Sequence, residues 1–338
     1  MNQPGAVAAP AANNLESLLA VLDRSRPLLV QAHDNPDHDA VGAAFALAVL
    51  LARRGFRPAL GYGGTIQSIS LTAMIDRLGI DIFPIDDLTS GNARWQTIAV
   101  DGSPAVGTMR ECAGELVAVV DHHPAKVALA YPFADVRIDV GSCCAIVWTY
   151  WRDSGETPDR MTATALLAGI QLDTDFLSRR VSPTDLEAHY RLFPLGDSEL
   201  TREVVRTSLS VEQLGEIARA IGSARVAGDV LLAEVKGDYS SELLSVLADF
   251  LLRLREITFV VVVEVRGREC HLSARTRDRE VDAGRAVKAA LDGIGSGGGH
   301  PHMAGGTIPA SRYPGARRFL RRIADAVAAS RRTYEPNN

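Results

Sequence analysis

Residues 27–39 read PLLVQAHDNPDHD. The apolar run PLLVQAH has the length of a strand, and the polar HDNPDHD that follows cannot continue it into a core. From Gly42 to Arg54 the chain turns to small and apolar residues with the spacing of a buried helix. The stretch therefore predicts a strand, a polar loop at its carboxyl end and a helix that returns over the sheet. Pro36 favours extended backbone at Asn35. In an extended segment residues two apart project the same way, so Asp37 and Asp39 are expected to face one site together.

The pattern recurs through the first half of the chain. Residues 97–101 (TIAVD) and 116–121 (LVAVVD) are short apolar runs that each end on aspartate, the second followed by His122 and His123. Residues 163–172 (ATALLAGIQL) have helical spacing and lead into Asp173. Strands alternating with helices predict an α/β fold built on a mostly parallel sheet covered on both faces. Ligands of such sheets bind beyond the carboxyl ends of the strands. Three strands thus deliver Asp or His to one edge, and that convergence points to a metal site. Carboxylates mixed with imidazoles suit Mn²⁺, with Mg²⁺, Co²⁺ or Zn²⁺ as competitors. The donors suffice for two divalent cations. Two such ions about 3.5–4 Å apart can share a hydroxide and neutralise both the attacking and the leaving oxygen of a phosphoester.

Beyond residue 190 the chain is helical and polar to about residue 228, a connector between two domains. Residues 230–235 and 257–265 (ITFVVVVEV) read as strands, the latter apolar enough to be central. Residues 270–275 form a further strand candidate, residues 281–291 a helix, 295–299 a glycine-rich loop and 316–330 the last helix. The expected organisation is a disordered tail over 1–14, a metal-binding catalytic domain over 15–195, the helical connector over 196–228 and a smaller α/β substrate-binding domain over 229–332.

Charged residues make up 23% of the 338 and hydrophobic residues 46%, an ordinary globular balance, while the net charge of -5 disfavours a partner of long nucleic acid. The four cysteines, Cys112, Cys143, Cys144 and Cys270, form no CxxC pair, which suits a reduced, cytoplasmic chain. The first fourteen residues lack the basic start and apolar core of a signal peptide, and the apolar run 40–52 is too short to span a bilayer, so no membrane partner is expected. A homodimer is one assembly that the sequence allows.

Asp121, His122 and His123 resemble the signature of the DHH phosphoesterases, and His33, Asn35, Pro36, Asp37 and Asp39 resemble that family's first motif. Gly297, Gly298, Gly299 and His300, followed by Ala304 and Gly305, resemble the GGGH loop of the associated DHHA1 domain. From about Leu15 to Ser330 the layout is similar to the nano-RNase and pAp-phosphatase subfamily, related to RecJ-type exonucleases. The resemblance implies that His33 and Asp37 hold one metal, that Asp39, His122 and Asp173 hold the other, and that Asp101 bridges them. It implies that His123 lies beside the scissile phosphate as a charge stabiliser or proton donor. Arg275 resembles the family's substrate arginine, and the backbone around Gly298 and Gly299, with His300, would contact a terminal phosphate. Consecutive glycines let backbone donors approach an anion without Cβ obstruction, and arginine offers a planar fork for phosphate oxygens. The chain departs from the family at His38 and Asp175, where Gly is common, and at Met303, where Ala is frequent.

The function implied is hydrolysis of short 5′-phosphorylated oligonucleotides, with 3′-phosphoadenosine 5′-phosphate (pAp) or cyclic dinucleotides and their linear products as related substrates. A manganese pyrophosphatase shares the N-terminal motifs, but the Gly297–His300 loop argues against it. A RecJ-like exonuclease on long strands is opposed by the acidic balance. A non-catalytic nucleotide sensor would have lost metal motifs that are all present here. Simpler roles are expected for Asp34 as a solvent or loop residue and for Cys143 and Cys144 as small buried side chains. Arg275, Arg277 and Arg279 together would ordinarily form a solvated face.

Overall fold

A computed structural model describes residues 14–88, 94–110, 112–124, 131–206, 209–237 and 241–333. The tail expected over residues 1–14 lies, but for Asn14, outside them. The chain divides into two compact units, Met1–Thr207 and Ser208–Asn338.

The first unit runs α1 (Leu15–Ala20), β1 (Leu28–Ala32), α2 (His38–Arg53), β2 (Pro58–Tyr62), α3 (Ile69–Leu78), β3 (Ile82–Pro84), α4 (Ile85–Leu88), β4 (Gln96–Val100), β5 (Glu115–Asp121), β6 (Phe133–Val136), α5 (Cys143–Asp153), α6 (Arg160–Asp173), α7 (Pro183–Leu192) and α8 (Ser198–Arg206). Its six strands form one parallel sheet in the order β3-β2-β1-β4-β5-β6. Register aligns Ala32 with Val100 and Val100 with Val120, so the three expected strands end level with one another. Leu28, Val30, Ile98, Val100 and Val120 face a core built with α2, α5 and α6. Ala99 and Val119, on the opposite face, pack on Met109.

The loop after β1 differs from the expectation. α2 starts at His38, not Gly42, and Asp37 is its N-cap, accepting the N–H groups of Asp39 and Ala40. Asp39 therefore stands in the first helical turn, not in an extended run beside Asp37. Asp37 itself keeps the extended backbone of an N-cap, but its carboxylate satisfies orphan helix donors, so the extended segment stops there. Asn35 is not extended: its φ is +54°, and its Oδ1 accepts from the backbone of Thr65 at 3.0 Å. Asparagine tolerates that conformation through such local bonds.

The second unit runs α9 (Leu214–Ser223), β7 (Arg225–Ala227), β8 (Val230–Lys236), α10 (Ser241–Leu251), β9 (Phe259–Arg266), β10 (Glu269–Thr276), α11 (Ala283–Leu291), β11 (Ser296–Gly299), β12 (Met303–Pro309) and α12 (Ala316–Arg332). Its mixed sheet has the order β11-β12-β10-β9-β8-β7, with β9 central as its apolar sequence predicts. The glycine run is a correction: residues 296–299 are not a loop but an edge strand paired antiparallel with β12. Strand pairing supplies the order that glycine's own propensity does not.

Candidate metal centre

The sheet delivers the site. His33 follows β1, Asp101 follows β4, and Asp121, His122 and His123 close β5. Asp39 comes from the start of α2 and Asp173 from the last residue of α6. The backbone of Asp101 has a φ of +59°, a left-handed conformation that costs a non-glycine residue about 1–3 kcal/mol and collects at functional sites.

Three overlapping sets of side chains have ligand atoms within 4.8 Å of one another among the described residues: His33, Asp37 and Asp101; Asp39, His122 and Asp173; and Asp101, His122 and His123. Nε2 of His122 lies 3.2 Å from Oδ1 of Asp101 and 3.3 Å from Oδ2 of Asp173. Nε2 of His33 lies 3.7 Å from Oδ2 of Asp101, so the two oxygens of Asp101 face two imidazoles. Both rings are oriented from behind, Nδ1 of His33 against the carbonyl of Asp34 at 2.9 Å and Nδ1 of His122 against that of Val140 at 3.3 Å. A carbonyl at Nδ1 selects the tautomer whose Nε2 carries a lone pair, the usual arrangement behind a metal-ligating histidine.

The donor set fits divalent cations. Oδ1 of Asp101 and Oδ2 of Asp173 are buried without a hydrogen-bond partner among the described residues. Burial pushes the Asp39 carboxyl well up, and the charges of Asp101 and Asp173 push it further. Burial likewise raises Asp101, reinforced by Asp37 and Asp173. It raises Asp173 too, against the opposing pull of His122. Carboxylates crowded into a buried site call for compensating positive charge, which cations would supply.

Asp39 has a support that sequence reasoning missed. The backbone N–H groups of Cys143 and Cys144, at the start of α5, donate to its Oδ2 and Oδ1 at 2.6 and 2.8 Å. The cysteine side chains are buried as expected, but the helix terminus behind them is what grips the carboxylate. That terminus is anchored in turn by Asp185, which accepts from the backbone of Gly141 at 2.8 Å and from the hydroxyl of Ser142 at 2.9 Å. Ser182 and Asp185 form a capping box, and the sequence Ser182-Pro183-Thr184-Asp185 carried that signal. Asp34 is not a solvent residue; its side chain is 15% exposed and accepts the backbone N–H of Arg110 at 3.0 Å. His38 is buried, and Asp175 takes the left-handed φ of +46° that the common glycine would suit.

In the second unit, Arg275 on β10 pairs in register with Met303 on β12, and Ala304 pairs with Gly299 on β11. The four residues expected to bind substrate therefore share one end of that sheet. Arg275 is not on a solvated face: its side chain is 11% exposed, held by Asp249 at 3.1 Å and by the hydroxyl of Ser273 at 3.0 Å. The backbone N–H of His300 is engaged with the carbonyl of Met303 at 2.8 Å. Gly299 has a φ of +156° and no room for a Cβ against Met303, whereas Gly298 opens onto empty space on an edge strand.

A parallel sheet with histidines and aspartates gathered at its carboxyl edge, followed by a mixed sheet with a glycine edge strand, defines a DHH/DHHA1 protein. The chain belongs to that family, matching the DHH family, N-terminal domain over residues 27–170 and the DHHA1 domain over residues 227–328. It is 33% identical over 288 residues to an uncharacterized protein of Methanocaldococcus jannaschii, a match covering 85% of this chain and 59% of that protein. It is 30% identical over 162 residues to a probable manganese-dependent inorganic pyrophosphatase of Streptococcus mutans, covering 46% of this chain and 50% of that one. The chain thus spans less than two thirds of either relative. An exopolyphosphatase-related protein from Bacteroides fragilis shares the fold, with a TM-score of 0.77 at 14% identity over 94% of this chain and 96% of that chain. Among the described residues no helix is long and apolar enough to cross a membrane.

Proposed function

We propose that this chain is a cytoplasmic, metal-dependent phosphoester hydrolase acting on short 5′-phosphorylated oligonucleotides, linear or cyclic dinucleotides, or pAp. The observation that carries the reading is the meeting of two donor sets, His33 with Asp37 and Asp39 with His122 and Asp173, on the two oxygens of Asp101. Two divalent cations, Mn²⁺ foremost, would supply Lewis acidity and an activated water when bound. The chain's own part is to fix the donors. Asp101 sets the spacing between the two sets, the carbonyls of Asp34 and Val140 aim the imidazoles, and the start of α5 holds Asp39 in place. His123 stabilises charge on the reacting phosphate or donates a proton to the leaving oxygen. Arg275, Gly298, Gly299 and His300 recognise a further phosphate of the substrate.

Manganese-dependent pyrophosphatase is the second reading, favoured by the Streptococcus mutans relative. The DHHA1 match over residues 227–328 speaks for the nucleotide reading instead. A hydrolysis panel with added Mn²⁺ decides between them: pAp, linear and cyclic dinucleotides, oligomers of increasing length, and pyrophosphate. Turnover confined to pyrophosphate would reverse the order, and turnover of long oligomers above dinucleotides would remove the preference for small substrates.

A further inference from the structure

We propose that Arg180, carried on a strained turn beside the metal centre, binds a non-bridging oxygen of the reacting phosphate. The proposal deepens the phosphoester-hydrolase reading and rests on it, but the anion site itself can be tested without turnover.

The segment that carries Arg180 follows Asp173 directly. Asp175, Phe176 and Leu177, three residues in succession, have φ of +46°, +54° and +62°, and Arg180 has +52°. None is glycine, and each such residue costs about 1–3 kcal/mol. The surroundings enforce the turn. Oγ1 of Thr174 accepts the N–H of Leu177 at 3.1 Å, and the carbonyl of Thr174 accepts those of Ser178 and Arg179 at 2.9 and 2.8 Å. Arg179 ties the turn back to α6, its Nη2 donating to the carbonyl of Asp173 at 3.4 Å. The far end is seated on the residue before the α5 cap: a Cβ at Gly141 would lie 2.5 Å from the carbonyl oxygen of Arg180. Phe176 stays exposed, so the strain does not serve to bury its ring.

What the turn achieves is the placement of a cation. Burial raises the carboxyls of Asp101 and Asp173, and the charge of Arg180 pulls both the other way. Arg180 thus stands within electrostatic reach of carboxylates from both donor sets. Its half-buried guanidinium nevertheless makes no hydrogen bond or ion pair among the described residues. Arginine beside buried carboxylates ordinarily closes on one of them, fork to fork. Here Arg179, the neighbour, is bonded to the turn, and Arg180 keeps its donors. With the carboxylates answered by cations, that planar fork suits the one anion the reaction brings to this place, a phosphate. Charge that grows on the phosphate oxygens in the transition state then meets a donor already in position.

The test uses the full chain and inorganic phosphate. By titration calorimetry, Arg180→Gln should bind as many Mn²⁺ ions as wild type and no more weakly, because a like charge has been removed. Inorganic phosphate titrated into the Mn²⁺-loaded variant should bind about 10–100-fold more weakly than to wild type, the span of a charge-assisted hydrogen bond. On a linear dinucleotide kcat should fall about 100–1000-fold. Arg180→Lys, which keeps the charge and loses the fork, should lie between the two proteins in phosphate affinity. Wild-type phosphate affinity in Arg180→Gln overturns the proposal. So does a loss of Mn²⁺ affinity in step with phosphate affinity, which would make Arg180 a strut of the turn. Should Arg180→Gln fail to fold, Arg180→Lys decides, and undiminished phosphate affinity in it overturns the proposal. Phosphate binding that depends on Arg180, in a wild type that hydrolyses no phosphoester, would refute the proposed function and leave the anion site standing.

Discussion

Gly169 on α6 stands against Asp39 on α2 so closely that a Cβ at 169 would lie 3.0 Å from the Cα of Asp39 and 2.4 Å from the Sγ of Cys144. The contact lets α2, α5 and α6 converge and brings Asp39 beside Asp173. Gly169→Ala must push one of them away. The expected cost is about 1–3 kcal/mol of stability, the range for overpacking a core, with weaker Mn²⁺ binding. Urea denaturation and calorimetry would show it; a variant as stable as wild type, with equal affinity, would mean the helices have slack that this geometry denies.

Asp101→Asn should remove turnover while leaving the fold intact, because neither donor set can lose a shared carboxylate without disturbance. His122→Ala should be severely impaired, by about 100-fold or more, since it breaks the second set outright. Chelation should inactivate wild type and lower its melting temperature, as cations that bind only the folded state stabilise it. Near-normal activity of Asp101→Asn with two ions still bound would end the shared-ligand assignment.

His123→Ala should lower kcat with KM nearly unchanged if the ring acts on charge formed in the transition state. Steady-state kinetics on a linear dinucleotide separate the two. A rise in KM alone would make His123 a plain substrate contact.

Arg275→Ala should cost about 1–3 kcal/mol in kcat/KM on a dinucleotide, the worth of a charge-assisted hydrogen bond to phosphate. On a minimal phosphodiester with no second phosphate the loss should be small. Because Arg275 is tied to Asp249 and Ser273, the variant's melting temperature must be measured beside its kinetics. Equal losses on both substrates would show that the arginine serves the fold of its own unit.

Acid should weaken the second unit through Asp229. The Arg331 guanidinium beside it, with Thr258, holds its carboxyl below the usual carboxylate range, outweighing partial burial. A depressed carboxyl contributes stability above the unfolded value of about 3.9 and loses it as pH falls through the lower folded value. Melting temperature should therefore drop more steeply below about pH 4 in wild type than in Asp229→Asn. Parallel acid profiles for the two proteins would assign the stabilisation elsewhere.

The apolar runs at 27–33, 97–101 and 116–121 determined a mostly parallel sheet by themselves, because short β-rich segments separated by helices can bury both faces in few other ways. The polar residues at their ends marked the edge where a site would form. The family motifs named His33, Asp37, Asp39, Asp101, His122 and Asp173, and the fold brings them into contact. What local pattern could not supply was anything that depends on partners distant in sequence. The bias of Pro36 points to extended backbone at Asn35, yet that residue takes a φ of +54° with its side chain bonded to Thr65. The glycines at 297–299 lacked strand propensity, yet β12 made them an edge strand. The grip of Cys143 and Cys144 on Asp39 joins residues more than a hundred positions apart through backbone N–H groups, which leave no trace in side-chain identity. Asp34 does lie in a loop and Arg275 carries the family's substrate motif, but only packing shows that each is held by a partner on another segment. Tertiary contacts decide such cases because a buried polar group takes whatever partner the fold brings within reach, and sequence spacing does not encode that distance.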